Sequence, residues 1–126
     1  MNYMIHDVCK FMAASDQSTY KYNAEQAHLY ENLVKEEYEE WLASKSESGF
    51  KPVDDLDAVC DLIWVLIGYA HSMGYDLKGA WEEVARSNMD KIDELSGKVL
   101  KRADGKVLKP ADWEAPYLLP YIGGIF

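Results

Sequence analysis

The chain has 126 residues, of which 48% are hydrophobic, and its 22 acidic and 13 basic residues give a formal net charge of −9. This length predicts a single domain over residues 1–126, and the negative charge argues against a nucleic-acid polymer as a partner, because a phosphate backbone needs a basic surface. The longest apolar run, 62–70, is shorter than the roughly 20 residues of a membrane span, and the N-terminus lacks the pattern of a signal peptide. We therefore expect a cytoplasmic protein with no membrane partner.

The first half of the chain predicts three helices. The first is expected over Tyr3–Ala14, and the second begins after Asn23, whose side chain suits an N-cap. A connection rich in Ser, Gly and Pro separates it from a third helix over about Val53–Met73, which Gly74 is expected to stop. Cysteines at positions 9 and 60 stand in apolar surroundings without metal-ligand spacing, which favours buried free thiols over a disulfide or a zinc site.

A fourth helical pattern begins near Asp76 and continues through the sequence YDLKGAWEEVARSNMDKIDEL. After it, Asp104-Gly105 between two short apolar stretches predicts a hairpin. The apolar tail, 117–126, is expected to dock on the body of the protein or on a neighbouring subunit. The predicted fold is therefore all-α, a four-to-five-helix bundle with a short C-terminal hairpin-like extension.

The second helix places a carboxylate within its apolar stripe. In the stretch LVKEEYEEWLAS, 33–44, Glu37 lies within roughly 60° of four apolar residues on a helical wheel. These are Tyr30, Leu33, Val34 and Trp41. A surface helix normally keeps its acidic residues on the face opposite the apolar stripe.

The third helix repeats this pattern. Asp54, Asp57 and Asp61 share one stripe, which continues into the apolar residues of the same helix. Desolvation strongly disfavours an isolated buried carboxylate unless it is neutralised, paired or bound to a metal. Two interpretations stay open: both helices expose their acids to solvent, or the acids form one cluster.

A cluster would form if the two helices were antiparallel neighbours. Glu36, Glu37 and Glu40 would then face Asp57 and Asp61, giving a set of oxygen donors without His or Cys. Such sets suit hard cations, and Mg²⁺ held by carboxylates commonly serves a phosphate substrate. We therefore predict Mg²⁺ as the cofactor, with Mn²⁺ as a substitute.

Positive charge is concentrated later in the chain. Residues 25–61 contain 11 acids and three bases, whereas residues 86–109 contain seven bases. On the wheel of the fourth helix, Asn88 and Lys91 fall on the apolar stripe, where they would point inward to bind phosphate. Alternatively, Lys91 only extends its charge to solvent and Asn88 caps the helix end.

These residues resemble the all-α nucleoside triphosphate pyrophosphohydrolases, which include MazG-type enzymes, dimeric dUTPases and phosphoribosyl-ATP pyrophosphohydrolases. The family pattern of EExxE on one helix and ExxD on the next is similar to Glu36-Glu37-Tyr38-Glu39-Glu40 followed by the stretch from Asp57 to Asp61. The segments EVARSNMDK and RADGKVLKPADW look like those of a MazG-like subgroup with dUTP-hydrolysing members. The resemblance covers about Phe11 to Trp113.

The chain departs from the family pattern at one position. Aligning Asp61 with the family Asp puts Ala58 where the family has Glu, and Asp57 is the expected substitute. A spacing of i,i+4 keeps Asp57 and Asp61 on one face. The alternative registration pairs Asp54 with Asp57.

The resemblance implies hydrolysis between the α and β phosphates of a nucleoside triphosphate, with a deoxypyrimidine triphosphate such as dUTP as a candidate substrate. It implies metal ligands at Glu37, Glu40, Asp57 and Asp61, while Glu36 would hold a further metal or act as the base. Lys91 would act in catalysis and, with other residues, in substrate binding. The full set expected to bind substrate is Asn88, Lys91, Arg102, Lys106 and Lys109 at the phosphates, and Phe11 and Gln17 at the base.

The resemblance also implies a homodimer or a dimer of dimers, with nucleotide sites at the subunit junction. Two other functional classes stay open. The chain could be a non-catalytic nucleotide-binding or regulatory helical module, which the missing ExxD glutamate favours. It could also be a helical interaction protein with solvated acidic faces.

Overall fold

The computed structural model of the protein describes residues 2–45 and 49–123. Its elements are four α-helices and a 3₁₀ turn: α1 (Asn2–Ala14), α2 (Ala24–Ala43), α3 (Pro52–Ser72), α4 (Leu77–Met89) and Leu119–Tyr121. The described residues form two compact units, the first built from residues 2–45, 49–77 and 122–123, the second from residues 78–121. The all-α prediction is confirmed.

No single helix among the described residues is long and apolar enough to cross a membrane. Helices α3 and α4 reach that length and composition only as a pair interrupted by a bend.

The ends of the first three helices agree with the sequence signals. The Asn23 side chain accepts a hydrogen bond from the backbone N–H of Gln26 at 3.0 Å, which caps α2. Gly74 follows α3 with a φ of +75°, a conformation that glycine adopts without strain. Both predicted helix boundaries are confirmed.

The fourth helix is shorter than the sequence pattern predicted. It ends at Met89, and the chain then forms an antiparallel bridge between Ile92 and Val99. Asp93 supports this turn, since its side chain accepts a hydrogen bond from the Ser96 backbone N–H at 2.9 Å. The apolar residues after Met89 keep the spacing of a helix stripe but lie in a turn.

The predicted hairpin is present in the second unit. Lys101 and Val107 form an antiparallel bridge, and the Arg102 N–H donates to the Lys106 carbonyl at 2.8 Å. Gly105 has a φ of +87°, as the tight turn requires. Within the described residues these pairings are isolated bridges and form no extended strand.

The core of the first unit lies between α1, α2 and α3. Its buried apolar side chains are Ile5, Val8, Met12, Tyr30, Val65 and Ile67. The start of α1 meets the end of α3, where the Ile5 carbonyl lies 3.4 Å from Nε2 of the buried His71. Near the other end of α1, Phe11 stacks edge-on against Trp64, with 5.6 Å between the ring centroids. Helices α1 and α3 are therefore antiparallel.

Helices α2 and α3 are also antiparallel, and Tyr30 packs directly against Gly68. Both residues are buried, and a methyl group at position 68 would lie 2.1 Å from Cε1 of Tyr30. At the same end of the pair, Nε2 of Gln26 donates to Oγ of Ser72 at 2.8 Å. At the opposite end, Oγ of Ser44 and a carboxylate oxygen of Asp55 are 3.3 Å apart.

Two expectations need correction or restriction. Cys9 is half-buried and Cys60 is exposed, so the prediction of two buried thiols is wrong, although both thiols are free. Cys60 lies on a face of α3 that stays open to solvent together with Val53 and Leu56. In the apolar tail, Gly123 lies close to the Gly74 carbonyl oxygen: a Cβ added to Gly123 would be 2.9 Å from it. Residues 124–126 of the tail lie outside the described residues.

The contact between Tyr30 and Gly68 generates a first prediction. Gly68→Ala should lower the free energy of unfolding by about 1–3 kcal/mol, the usual cost of overpacking a core. It should do so although alanine favours a helix over glycine by about 1 kcal/mol. Urea unfolding followed by circular dichroism measures the change.

The control for this prediction is the same substitution in a Tyr30→Leu background. Removing the ring should relieve the clash, so Gly68→Ala should cost less there than in the wild type. An equal cost in both backgrounds would show that the ring does not set the helix spacing.

Candidate active site

The acidic face of α2 meets α3 at Glu37. This side chain is half-buried, and its Oε2 atom is buried with no hydrogen-bond partner. Burial is the largest cause that raises the pKa of Glu37 to about 7, and the negative charges of Glu40, Asp61 and Glu36 contribute to the same shift. The carboxylate that the wheel placed among apolar residues is therefore at a helix interface.

Asp61 provides the matching carboxylate on α3. Burial raises its pKa, followed by the charges of Asp57 and Glu40. Glu36, Glu40 and Asp57 are themselves exposed. The five predicted carboxylates are thus close enough to affect one another's ionisation, and their role as metal ligands stays a prediction. We call them the acidic cluster: Glu36, Glu37, Glu40, Asp57 and Asp61.

An open cavity of about 360 Å³ lies at the edge of the acidic cluster. Glu40, Asp54 and Asp57 line it, together with Lys51 and the buried Ala58. Ala58 occupies the position where the family pattern has Glu, and Asp57 lies one residue earlier, facing this cavity. The cavity brings both aspartates of the alternative registration next to Glu40, so both registrations stay open.

The donor chemistry of the acidic cluster fits a divalent cation. A buried, unpartnered carboxylate oxygen is costly unless a proton or a cation compensates it, and Mg²⁺ and Mn²⁺ prefer oxygen ligands. In the parts of the chain that the structure describes, however, no three Asp, Glu, His or Cys side chains are arranged as a metal site. Metal binding by this cluster therefore remains a prediction.

The two residues predicted to contact the base lie in the first unit. Phe11 is exposed and stacks edge-on against Trp64. Gln17 is half-buried, and its Oε1 atom accepts a hydrogen bond from the Tyr30 hydroxyl at 2.7 Å. The amide of Gln17 is thus already engaged by the tyrosine that packs on Gly68.

The second unit carries the predicted phosphate-binding residues, and two of them depart from expectation. Asn88 is exposed, and Lys91 lies beyond the end of α4, so neither points into a helix stripe as the wheel predicted. Their side chains instead contact each other, since Nζ of Lys91 donates to Oδ1 of Asn88 at 3.1 Å. For Lys91 the wheel failed because it assumed that the helix continued through position 91, whereas Asn88 lies within α4 on a face that is exposed.

The hairpin positions the remaining bases. Arg102 forms an ion pair with Asp104 within the turn, while Lys106 is exposed. Lys109 is exposed as well, and its ammonium nitrogen lies 4.5 Å from the centroid of the Trp113 ring. Lys91 approaches the same ring, at 5.2 Å.

Sequence reasoning missed Trp113. Its indole Nε1 donates a hydrogen bond to the Ser87 carbonyl at 2.6 Å, which ties the segment after the hairpin to the end of α4. The available signal was the sequence LKPADW, in which a lysine and an aromatic residue stand four positions apart. A cavity of about 570 Å³ beside Trp113 was also not predicted, and its charged lining residues are all acidic: Asp90, Asp93, Glu94 and Asp112.

The raised pKa of Glu37 generates a second prediction, for the metal-free protein. The folded state holds the Glu37 proton more tightly than the unfolded state, so this group stabilises the fold below about pH 4.5 and loses that contribution as the pH rises to about 7. Glu37→Gln removes this titration. The variant should therefore gain stability over the wild type between pH 5 and pH 8, by about 1–3 kcal/mol after allowance for solvent screening.

Thermal and urea unfolding in EDTA, at pH 5 and at pH 8, measure this difference in stability. Glu39→Gln is the matched control, because it removes one negative charge from an exposed position of the same helix. Parallel pH profiles for the wild type and Glu37→Gln would contradict the prediction.

Comparison with known proteins supports the resemblance seen in the sequence. The family model of phosphoribosyl-ATP pyrophosphohydrolase matches residues 6–88. This range includes the acidic cluster and Asn88 but ends before Lys91, the hairpin and Trp113. No curated protein matches the chain.

Proposed function

The chain belongs to the phosphoribosyl-ATP pyrophosphohydrolase family, and we propose that it hydrolyses nucleoside triphosphates to the monophosphate and pyrophosphate. The family match confirms the resemblance, and it confirms the prediction of an enzyme of the class that cleaves phosphoric anhydrides. The observation that carries the finer proposal is the acidic cluster, in which α2 and α3 bring Glu37 and Asp61 together around a buried, unpartnered oxygen.

The proposed reaction is attack of water on the α phosphorus. The water oxygen forms a bond to that phosphorus, the bond to the bridging oxygen breaks, and pyrophosphate leaves with the electron pair. Glu36, on the flank of the cluster, would accept the water proton. Lys91 and Asn88 would bind the phosphate tail, with Arg102, Lys106 and Lys109 as further candidates.

Mg²⁺ is the proposed cofactor, held by Glu37, Glu40, Asp57 and Asp61, with Glu36 as a further ligand. When bound, it would screen the phosphate charge and lower the pKa of the attacking water. Five carboxylates without a cation repel an anionic substrate, which supports a metal requirement. A deoxypyrimidine triphosphate such as dUTP is the proposed substrate, from the family resemblance, and removal of such a nucleotide from the cytoplasmic pool is the proposed role.

A pyrophosphate-release assay tests the reaction and generates a third prediction. The substrates are dUTP, the other deoxynucleoside triphosphates, UTP and phosphoribosyl-ATP, each with Mg²⁺, Mn²⁺ or EDTA. We expect turnover of dUTP with either metal and none in EDTA. Glu40→Gln should lower kcat/KM by at least about 100-fold, the scale on which loss of one charge-stabilising group acts.

The same assay separates the two registrations. If Asp57 pairs with Asp61, Asp61→Ala is inactive and Asp54→Ala is active; if Asp54 pairs with Asp57, the order is reversed. Turnover of phosphoribosyl-ATP alone would contradict the nucleoside triphosphate proposal, and full activity in EDTA would contradict the metal.

A homodimer, or a dimer of dimers, is the proposed assembly. Val53 and Leu56 are 79% and 64% exposed on α3, and apolar side chains in a helical row commonly mark a contact between proteins. In the family pattern each nucleotide site draws residues from two chains. In the second unit the apolar side chains of Tyr117 and Leu119 are exposed as well, and we propose them as a separate candidate contact.

Subunit mixing tests this assembly as a fourth prediction. Glu37→Gln and Lys91→Ala should each be inactive alone, and a mixture should regain part of the activity because some sites then combine intact residues from both chains. Sedimentation gives the assembly size. A fully active 14.4 kDa monomer would contradict the proposal.

A further inference from the structure

We propose that Trp113 is a positioning residue that holds the ammonium groups of Lys91 and Lys109 as a two-point site for the phosphate tail of the substrate. This inference rests on the proposed function, because a phosphate tail is the ligand it assigns. It concerns residues beyond 6–88, the range that the family model matches. All three side chains belong to the second compact unit.

The indole of Trp113 is fixed in place by the end of α4. Its Nε1–H donates to the Ser87 carbonyl at 2.6 Å, and Ser87 is buried in the last turn of the helix. Carbonyls in a last turn lack partners within their own helix, so this hydrogen bond satisfies one of them. The Trp113 backbone N–H also donates to the Pro110 carbonyl at 3.1 Å. The ring is therefore held by two separate parts of the chain.

Two lysine ammonium groups converge on this ring. Nζ of Lys91 and Nζ of Lys109 lie 5.2 Å and 4.5 Å from its centroid, within the range of a cation–π interaction. The two nitrogens are consequently at most about 10 Å apart, the sum of those distances. Lys91 is further oriented by its hydrogen bond to Asn88. A polyphosphate can span such a gap and contact both groups.

The ring holds these lysines without cancelling their charge. Arg86 is paired with Glu83 and Asp90, and Arg102 is paired with Asp104. Neither Lys91 nor Lys109 forms an ion pair with any residue that the structure describes. An aromatic face attracts a cation through its quadrupole and brings no negative charge. The Lys109 donors and the Lys91 donors not bound to Asn88 therefore stay available to an anion.

The chemistry of this pair suits phosphate oxygens. Each lysine ammonium is a compact charge with three donors, and binding one anion between two of them relieves their mutual repulsion. Pyrophosphate and tripolyphosphate carry the anionic groups in question without a base or a sugar. They are therefore the probes that isolate this site.

The test compares three variants by isothermal titration with tripolyphosphate in EDTA, which prevents binding through a metal at the acidic cluster. Trp113→Leu removes the aromatic face and should weaken binding at least fivefold. Trp113→Phe keeps a face and should stay within about twofold of the wild type, although it loses the hydrogen bond to Ser87. Trp81→Leu is the control, since Trp81 is a 48% exposed tryptophan on α4.

Kinetics give a readout that a purely structural role would not change. Trp113→Leu should raise KM for the nucleotide at least fivefold and leave kcat within twofold. The Lys91 and Lys109 side-chain methylene protons should show ring-current shifts in the NMR spectrum of the wild type and Trp113→Phe, and tripolyphosphate should move them. Equal losses in Trp113→Leu and Trp113→Phe, or unchanged binding in Trp113→Leu, would overturn the proposal.

Single lysine variants keep the proposal testable if Trp113→Leu fails to fold. Lys91→Ala and Lys109→Ala should each weaken tripolyphosphate binding at least threefold, and wild-type affinity in either would overturn it. The outcome separates this inference from the proposed function. Trp113-dependent binding without nucleotide turnover supports the two-point site and contradicts the reaction, whereas normal turnover with no dependence on Trp113 contradicts only the two-point site.

Discussion

The close packing of Tyr30 on Gly68 sets the relation between α2 and α3, on which the candidate site depends. With no side chain at position 68, the tyrosine ring lies directly against the α3 backbone, and its hydroxyl is held by Gln17. This contact fixes the helices near the start of α2 and the end of α3. Because the helices are antiparallel, residues two turns further along α2 then meet residues two turns earlier along α3. Glu37 and Asp61 are the carboxylates at that level.

This arrangement places negative charge where a stable fold would avoid it. The buried Oε2 of Glu37 has no partner, and its neighbours in the acidic cluster are all carboxylates. Lys45 does not relieve this charge, since it pairs with Asp55 instead. Structural optimisation alone would put an apolar residue at position 37, where the rest of the helix stripe is apolar. Conflicts of this kind between local stability and sequence are typical of functional sites.

Helical periodicity was sufficient to predict α1, α2 and α3 and to place acids within the apolar stripes of α2 and α3. Whether those acids form one cluster depended on how the two helices pair, which periodicity alone does not contain. The Asn23 cap and the Gly74 stop followed from local chemistry alone. Periodicity failed after Met89, where Ile92 keeps helical spacing but pairs with Val99 across a turn. A wheel contains no information on where a helix ends or on which part of a stripe is covered, so Lys91 and Asn88 were assigned to the wrong surroundings. The exposed Cys60 was misjudged for a related reason, since apolar neighbours in sequence do not establish that a residue is buried.

The contacts of Trp113 with Ser87 and Lys91 were beyond sequence reasoning because those residues lie 26 and 22 positions away and are reached through a backbone carbonyl and a ring face. They also bear on a problem of charge. A protein with a net charge of −9, whose residues 25–61 are the most acidic part of the chain, repels an anionic substrate at long range. A divalent cation would offset part of the negative charge, and only within the acidic cluster itself. Uncommitted lysines held by a neutral ring supply attraction without adding carboxylates, whereas lysines held by ion pairs would leave the net field unchanged. An aromatic ring at position 113 thus holds two ammonium groups without adding a further carboxylate to a surface that Asp90, Asp93, Glu94 and Asp112 already make acidic.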